Sequence, residues 1–182
     1  RELARLPGIE ARSFSGIGTG LARLDAFDWL GKIDELCAEH RPKVAVVALG
    51  ANDRQPMKLP GPGDVVPPGS PEWNAEYAAR IGQAMDRLAA GGCERIIWLL
   101  LPPMRDSVVD AFAQNVNQAI GAEAARRLEA NHIVLNYQAA PDEEGFTASG
   151  ALRMGVQEMT RFGMQPADFG ELAQLMADGL LR

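Results

Sequence analysis

The chain has 182 residues, of which 47% are hydrophobic, 6% aromatic and 23% charged, the make-up of an ordinary globular domain and not of a disordered tail or a fibre. Its 24 acidic and 18 basic residues leave a net charge of -6, a field that repels phosphate backbones and makes nucleic acid an unfavourable partner. The longest apolar runs, residues 44–49 and 96–101, are of strand length, and no membrane span is expected from them.

The opening Arg1-Glu-Leu-Ala-Arg-Leu-Pro reads as the last turns of an amphipathic helix and not as a signal peptide, so the sequence is expected to be incomplete upstream. Pro7-Gly8 breaks the pattern, and residues 9–14 read as a short strand leading into the glycine-rich loop Ser15-Gly-Ile-Gly-Thr-Gly20. A helix is predicted over residues 28–40. Leu30, Ile33, Leu36 and Cys37 share one face, Lys32, Asp34, Glu35 and Glu39 face water, and Pro42 ends the pattern. Residues 43–49 are apolar without alternation, as in a strand buried on both faces of a parallel sheet.

Residues 54–71 are dense in Pro and Gly and cannot hold a helix or a central strand, which makes them a surface loop or lid. Ser70 and Pro71 read as the N-cap and first-turn proline of a helix over residues 72–90, closed by Gly91-Gly92. A strand over residues 95–101, stopped by Pro102-Pro103, a helix over 106–130, a short strand over 133–136 and a last helix over 166–181 complete the pass. Cys37 and Cys93, far apart in sequence, read as buried free thiols in preference to a disulfide. No Cys/His cluster calls for zinc, and no cofactor is expected.

Strands alternating with helices imply one domain over residues 1–182, a three-layer α/β fold with a parallel sheet and helices on both faces. Ligands of such folds bind beyond the carboxyl ends of the strands, which directs attention to residues 15–20, 50–54, 102–105 and the loop after Asn136. In Leu49-Gly50-Ala51-Asn52-Asp53-Arg54, Gly50 permits a tight turn at the strand end. Asn52 can aim its amide donors at a developing oxyanion, although an Asn-Asp pair also serves as an ordinary turn.

The run from Gly16 to Trp29, the block Gly50-x-Asn52-Asp53 and the segment Leu101-Pro-Pro-Met-Arg105 resemble, in order and spacing, the SGNH (GDSL-type) hydrolase superfamily, and within it a bacterial cell-envelope branch. The resemblance implies a flavodoxin-like α/β/α sheet and an oxyanion hole formed by Asn52 and a backbone N–H of Gly20, with Gly16 the alternative. Gly16, Gly50, Asp53, Arg54, Arg105 and Glu158 would line the cleft. It implies esterase or O-acyltransferase chemistry by a serine in an early Gly-Asp-Ser block and a late Asp-x-x-His pair, and weakly a periplasmic or cell-envelope location.

Both blocks depart from the pattern. No Gly-Asp-Ser occurs, so the first strand and its nucleophile are missing from the chain. In the late block Met154 stands at the aspartate position and Gln157 at the histidine position, with Glu158 leaving the register open. A glutamine amide takes up no proton near neutral pH and methionine cannot orient an imidazole. Glu158 could act as a base only if burial raised its pKa.

His40 and His132 both precede strands and fall at the opposite edge from the expected site, and Ser13 and Ser15 read as turn residues. Arg54 and Arg105 could bind a carboxylate or sulfate. Trp98 reads as core, and Trp73 as a ligand or lid contact. Deleting the first strand of a 2-1-3-4-5 sheet leaves two unpaired edges, so an upstream strand, a strand from a partner chain or a rearranged sheet is expected. The functional expectation is a non-catalytic binding or scaffold domain for an acylated glycan or small ester. The alternative is a serine esterase or O-acyltransferase whose nucleophile lies upstream.

Overall fold

A computed structural model describes residues 10–61, 63–130, 136–138, 151–153, 160–161 and 163–179. Helix α1 spans Trp29–His40. Its start is set by Asp28, whose carboxylate accepts from the Gly31 N–H at 3.0 Å, and it buries Trp29, Leu30, Ile33 and Cys37. Arg41, at φ 45°, adopts the left-handed conformation that closes the helix, its N–H reaching the Cys37 carbonyl at 2.9 Å.

Strand β1, Val44–Val47, follows α1 and leads into Leu49-Gly50. The Pro/Gly-rich segment that follows is a folded hairpin and not an open loop: β2, Met57–Lys58, pairs antiparallel with β3, Val65–Val66. Met57 and Val66 turn into the core, which anchors the segment despite its prolines. Helix α2, Pro71–Ala90, begins at Ser70, whose hydroxyl accepts from the Trp73 N–H at 3.2 Å, and buries Trp73, Tyr77, Arg80, Ile81, Ala84 and Leu88. Strand β4, Arg95–Trp98, then lies parallel to β1, Val44 opposite Arg95 and Val47 opposite Trp98.

Helix α3, Ser107–Ala130, packs on α2. Strands β5, Asn136–Gln138, and β6, Ala151–Arg153, form an antiparallel pair; the strand expected over residues 133–136 lies outside the described residues except for Asn136. A 3-10 turn, Pro166–Asp168, leads into α4, Phe169–Gly179, which packs on α3.

The sheet departs from expectation in its burial. Ala45, Val47, Ile96 and Trp98 pack against the core, but Val44, Val46 and Ile97 are 51%, 50% and 47% exposed. The helix-facing side is thus covered, and β1 is not buried on both faces as its unbroken apolar run suggests. Residues 10–14 are irregular and not a strand. A lone strand needs a neighbour to take its backbone hydrogen bonds. Among the described residues β1 pairs with β4 alone. The described residues therefore form a mixed α/β unit with a small parallel sheet.

Candidate functional site

The site is built where β1 ends. Gly50, at φ 129°, lets the chain turn sharply against α3, since a side chain there would press on Val116 and Leu101. The Asp53 N–H then returns to the Gly50 carbonyl at 3.0 Å, leaving Asn52 exposed at the tip and Asp53 buried. Asn52 Nδ2 donates to the Thr19 carbonyl at 3.2 Å, and the Asn52 carbonyl accepts from Gln55 Nε2 at 2.6 Å. An amide nitrogen carries two hydrogens, so one remains for an outside acceptor. Thr19 is itself fixed, its hydroxyl donating to the Gly16 carbonyl at 2.7 Å and accepting from Trp29 Nε1 at 2.9 Å.

Beneath this surface lies a polar core that ties the glycine loop down. Asp53 accepts from the Ala22 N–H and from the Tyr77 hydroxyl, each at 2.7 Å. Gly20 must be glycine for this to happen, because a Cβ there would lie 2.5 Å from the Asp53 carboxyl carbon. Arg80, also buried, donates to the Leu21 and Ala22 carbonyls at 2.7 and 3.0 Å and to the Lys58 carbonyl at 3.0 Å, while pairing with Glu76 at 2.6 Å. Burial and the Asp53 carboxylate push the Tyr77 phenol well above its usual range, so it stays a donor at all ordinary pH. The glycine loop, the Asn52 turn and the β2–β3 hairpin are thereby fastened to one helix, α2.

Of the residues singled out from the sequence, Gly20 and Asn52 are brought together, and among the described residues none accepts from the Gly20 N–H. Gly16 contributes its carbonyl to the loop's own turn. Asp53 faces inward and does not line the cleft, because two donors hold it from below. Arg54 and Arg105 are exposed at the ends of the β1 and β4 loops. The Leu101-Pro-Pro-Met-Arg105 segment is held by Asn117 of α3, which donates to and accepts from the Leu101 backbone at 2.9 and 2.8 Å.

Trp73 is not a ligand contact: it is 1% exposed, stacks on Tyr77 and donates to the Gln55 carbonyl at 3.0 Å. That bond joins it to the start of the Pro/Gly segment. Ser13 and Ser15 are exposed, and His40 lies at the end of α1, at the opposite end of β1 from Asn52. Met154, Gln157, Glu158 and His132 lie outside the described residues.

Tyr77 and Arg80 were not expected to serve the site. Their signal lies in the sequence, since Trp73, Tyr77, Arg80, Ile81 and Ala84 fall on one helical face. A cation on that stripe must find buried acceptors.

A family model described as "Protein of unknown function (DUF459)" matches residues 1–163, which takes in the glycine loop, the Asn52 turn and both strands of the parallel sheet. The chain belongs to the DUF459 family. As a DUF459 protein it also has curated relatives named serine hydroxymethyltransferase. That of Pyrobaculum aerophilum is 33% identical over 106 residues, 58% of this chain and 25% of the relative. That of Metallosphaera sedula is 41% identical over 58 residues, 31% of this chain and 14% of the relative. That of Methanothermobacter thermautotrophicus is 33% identical over 107 residues, 57% and 25% of the two chains. The DUF459 chain spans about a quarter or less of the length of these relatives.

Proposed function

We propose that this DUF459 chain is an SGNH-hydrolase-like domain, of flavodoxin-like strand order, that binds an acylated glycan or small ester without turning it over. One observation carries the reading: Asn52 and the Gly20 loop meet at the carboxyl end of β1, while His40 stands at the other end of that strand. The second Asn52 amide hydrogen, not used by the Thr19 carbonyl, suits the carbonyl oxygen of an acyl group. No imidazole of the described residues lies beside it to draw a proton from a hydroxyl. The unpaired side of β1 suits a strand from upstream sequence or from a partner chain, and a periplasmic or cell-envelope setting fits an acylated glycan.

The test is calorimetric titration with acetylated xylo-oligosaccharide against the de-acetylated sugar, beside a fluorophosphonate labelling experiment read by intact mass. Binding of the acetylated form alone is expected, weakened about tenfold by Asn52→Ala, the worth of one hydrogen bond of about 1.4 kcal/mol. Equal binding of both sugars, or none, would sink the binding reading. A fluorophosphonate adduct on the natively purified protein would replace it with the enzyme reading.

A further inference from the structure

We propose that Cys37 and Cys93 are an oxidation site: they become joined as an intramolecular disulfide when the chain folds in the presence of a small disulfide oxidant. In the structure both are free thiols, 5% and 4% exposed. Cys37 lies in the last turn of α1, and Cys93 follows the Gly91-Gly92 turn that joins α2 to β4, its N–H donating to the Leu88 carbonyl at 3.1 Å. That turn closes directly over Cys37. A Cβ on Gly91 would lie 2.5 Å from both Cβ and Sγ of Cys37, so only glycine lets the turn settle there. Cys93 stands two residues past that contact, and both cysteines lie in the same buried core cluster. A pair that is remote in sequence is thus adjacent in the fold, on two elements already packed together, α1 and α2.

The chemistry is thiol–disulfide exchange. One cysteine, as thiolate, attacks a sulfur of oxidised glutathione and releases one glutathione thiolate. The second cysteine sulfur then attacks the resulting mixed disulfide and releases the other. Two protein thiols are oxidised, one glutathione disulfide is reduced to two thiols, and the two cysteine protons pass to the departing glutathione thiolates. Burial raises both thiols, Cys93 to about 11; Cys37 adds to the rise at Cys93 and Asp34 to that at Cys37, while Cys93 offsets part of the rise at Cys37. The folded, reduced pair therefore reacts slowly, and the bond forms while α1 is still docking on α2.

The experiment refolds the 182-residue chain with oxidised and reduced glutathione or with dithiothreitol, then denatures it in N-ethylmaleimide and measures intact mass and melting temperature. Oxidative refolding is expected to give a mass lacking two hydrogens and carrying no maleimide. It is also expected to raise the melting temperature by roughly 10 °C over the reduced protein, the scale for a cross-link closing a long loop in a domain of this size. The temperature difference should vanish in Cys93→Ala and in Cys37→Ser. Two maleimide adducts, a retained glutathione, or a difference that survives in either variant would each overturn the proposal.

Discussion

Adding one methyl group at Gly20 tests the tie between the glycine loop and the Asn52 turn. In Gly20→Ala the new Cβ would fall 2.5 Å from the Asp53 carboxyl carbon, well inside van der Waals contact. The carboxylate cannot swing aside freely, because the Ala22 N–H and the Tyr77 hydroxyl hold it at 2.7 Å each. Overpacking costs about 1 to 3 kcal/mol and weakening one bond to a charged acceptor about 1.5 kcal/mol or more, so the substitution should destabilise the fold by roughly 4 kcal/mol. Asp53→Ala, which strands two buried donors at about 1 to 3 kcal/mol each, should cost a similar amount. In the double variant the obstacle to the new methyl is gone, so the penalties should not add and a coupling of about 3 kcal/mol is expected. Urea unfolding followed by tryptophan fluorescence reads this directly, each single variant lowering the midpoint by about 2 M at a slope near 2 kcal/mol/M. Additivity within about 0.5 kcal/mol would refute the argument that Gly20 and Asp53 occupy one shared space.

The remaining expectations concern the same core, its titration and the open sheet face. Arg80→Met removes the cation that serves the Leu21, Ala22 and Lys58 carbonyls, and should lower stability by about 3 kcal/mol in the same assay. Tyr77 and Cys93 are both raised in the folded state, so their contribution is whole below their unfolded pKa values and is lost as pH rises. Melting temperature should therefore fall above about pH 9 to 10 and fall less steeply in Tyr77→Phe. Asp25 is held at about 2 by the hydrogen bond from Arg23, and Arg23→Gln should return it toward the ordinary carboxylate range in an NMR titration. Ile97, 47% exposed, should accept lysine at a cost below about 0.5 kcal/mol and with less self-association, measured by light scattering.

The helix boundaries were legible because their chemistry is local. Asp28 and Ser70 cap α1 and α2, and Gly91-Gly92 closes α2, each by contacts within a few residues. The meeting of Gly20 and Asn52 was legible only through the family resemblance, since the strand expected before the Gly20 loop did not form. What the sequence hid is non-local. The unbroken apolar run at residues 43–49 suggests a strand covered on both faces, yet composition does not say whether a second layer is present to cover Val44 and Val46. Asp53 beside Asn52 looks like a cleft residue until Tyr77 and the Ala22 N–H are seen to claim its oxygens. The reach of Trp73 inward, and not to a ligand, likewise depends on Tyr77 and Gln55 being beside it.

Fastening three loops to one helix also sets how the molecule opens. Amide exchange at Ala22 and Asp53 requires the Asp53 side chain or the Gly50 turn to let go, and either event frees the Arg80 contacts to Leu21, Ala22 and Lys58. These amides should exchange with deuterium at a common rate, as one cooperative block with α2, while those of residues 10–14 exchange early. A ligand seated at Asn52 would then slow exchange along the middle of α2, although no residue of that helix touches it.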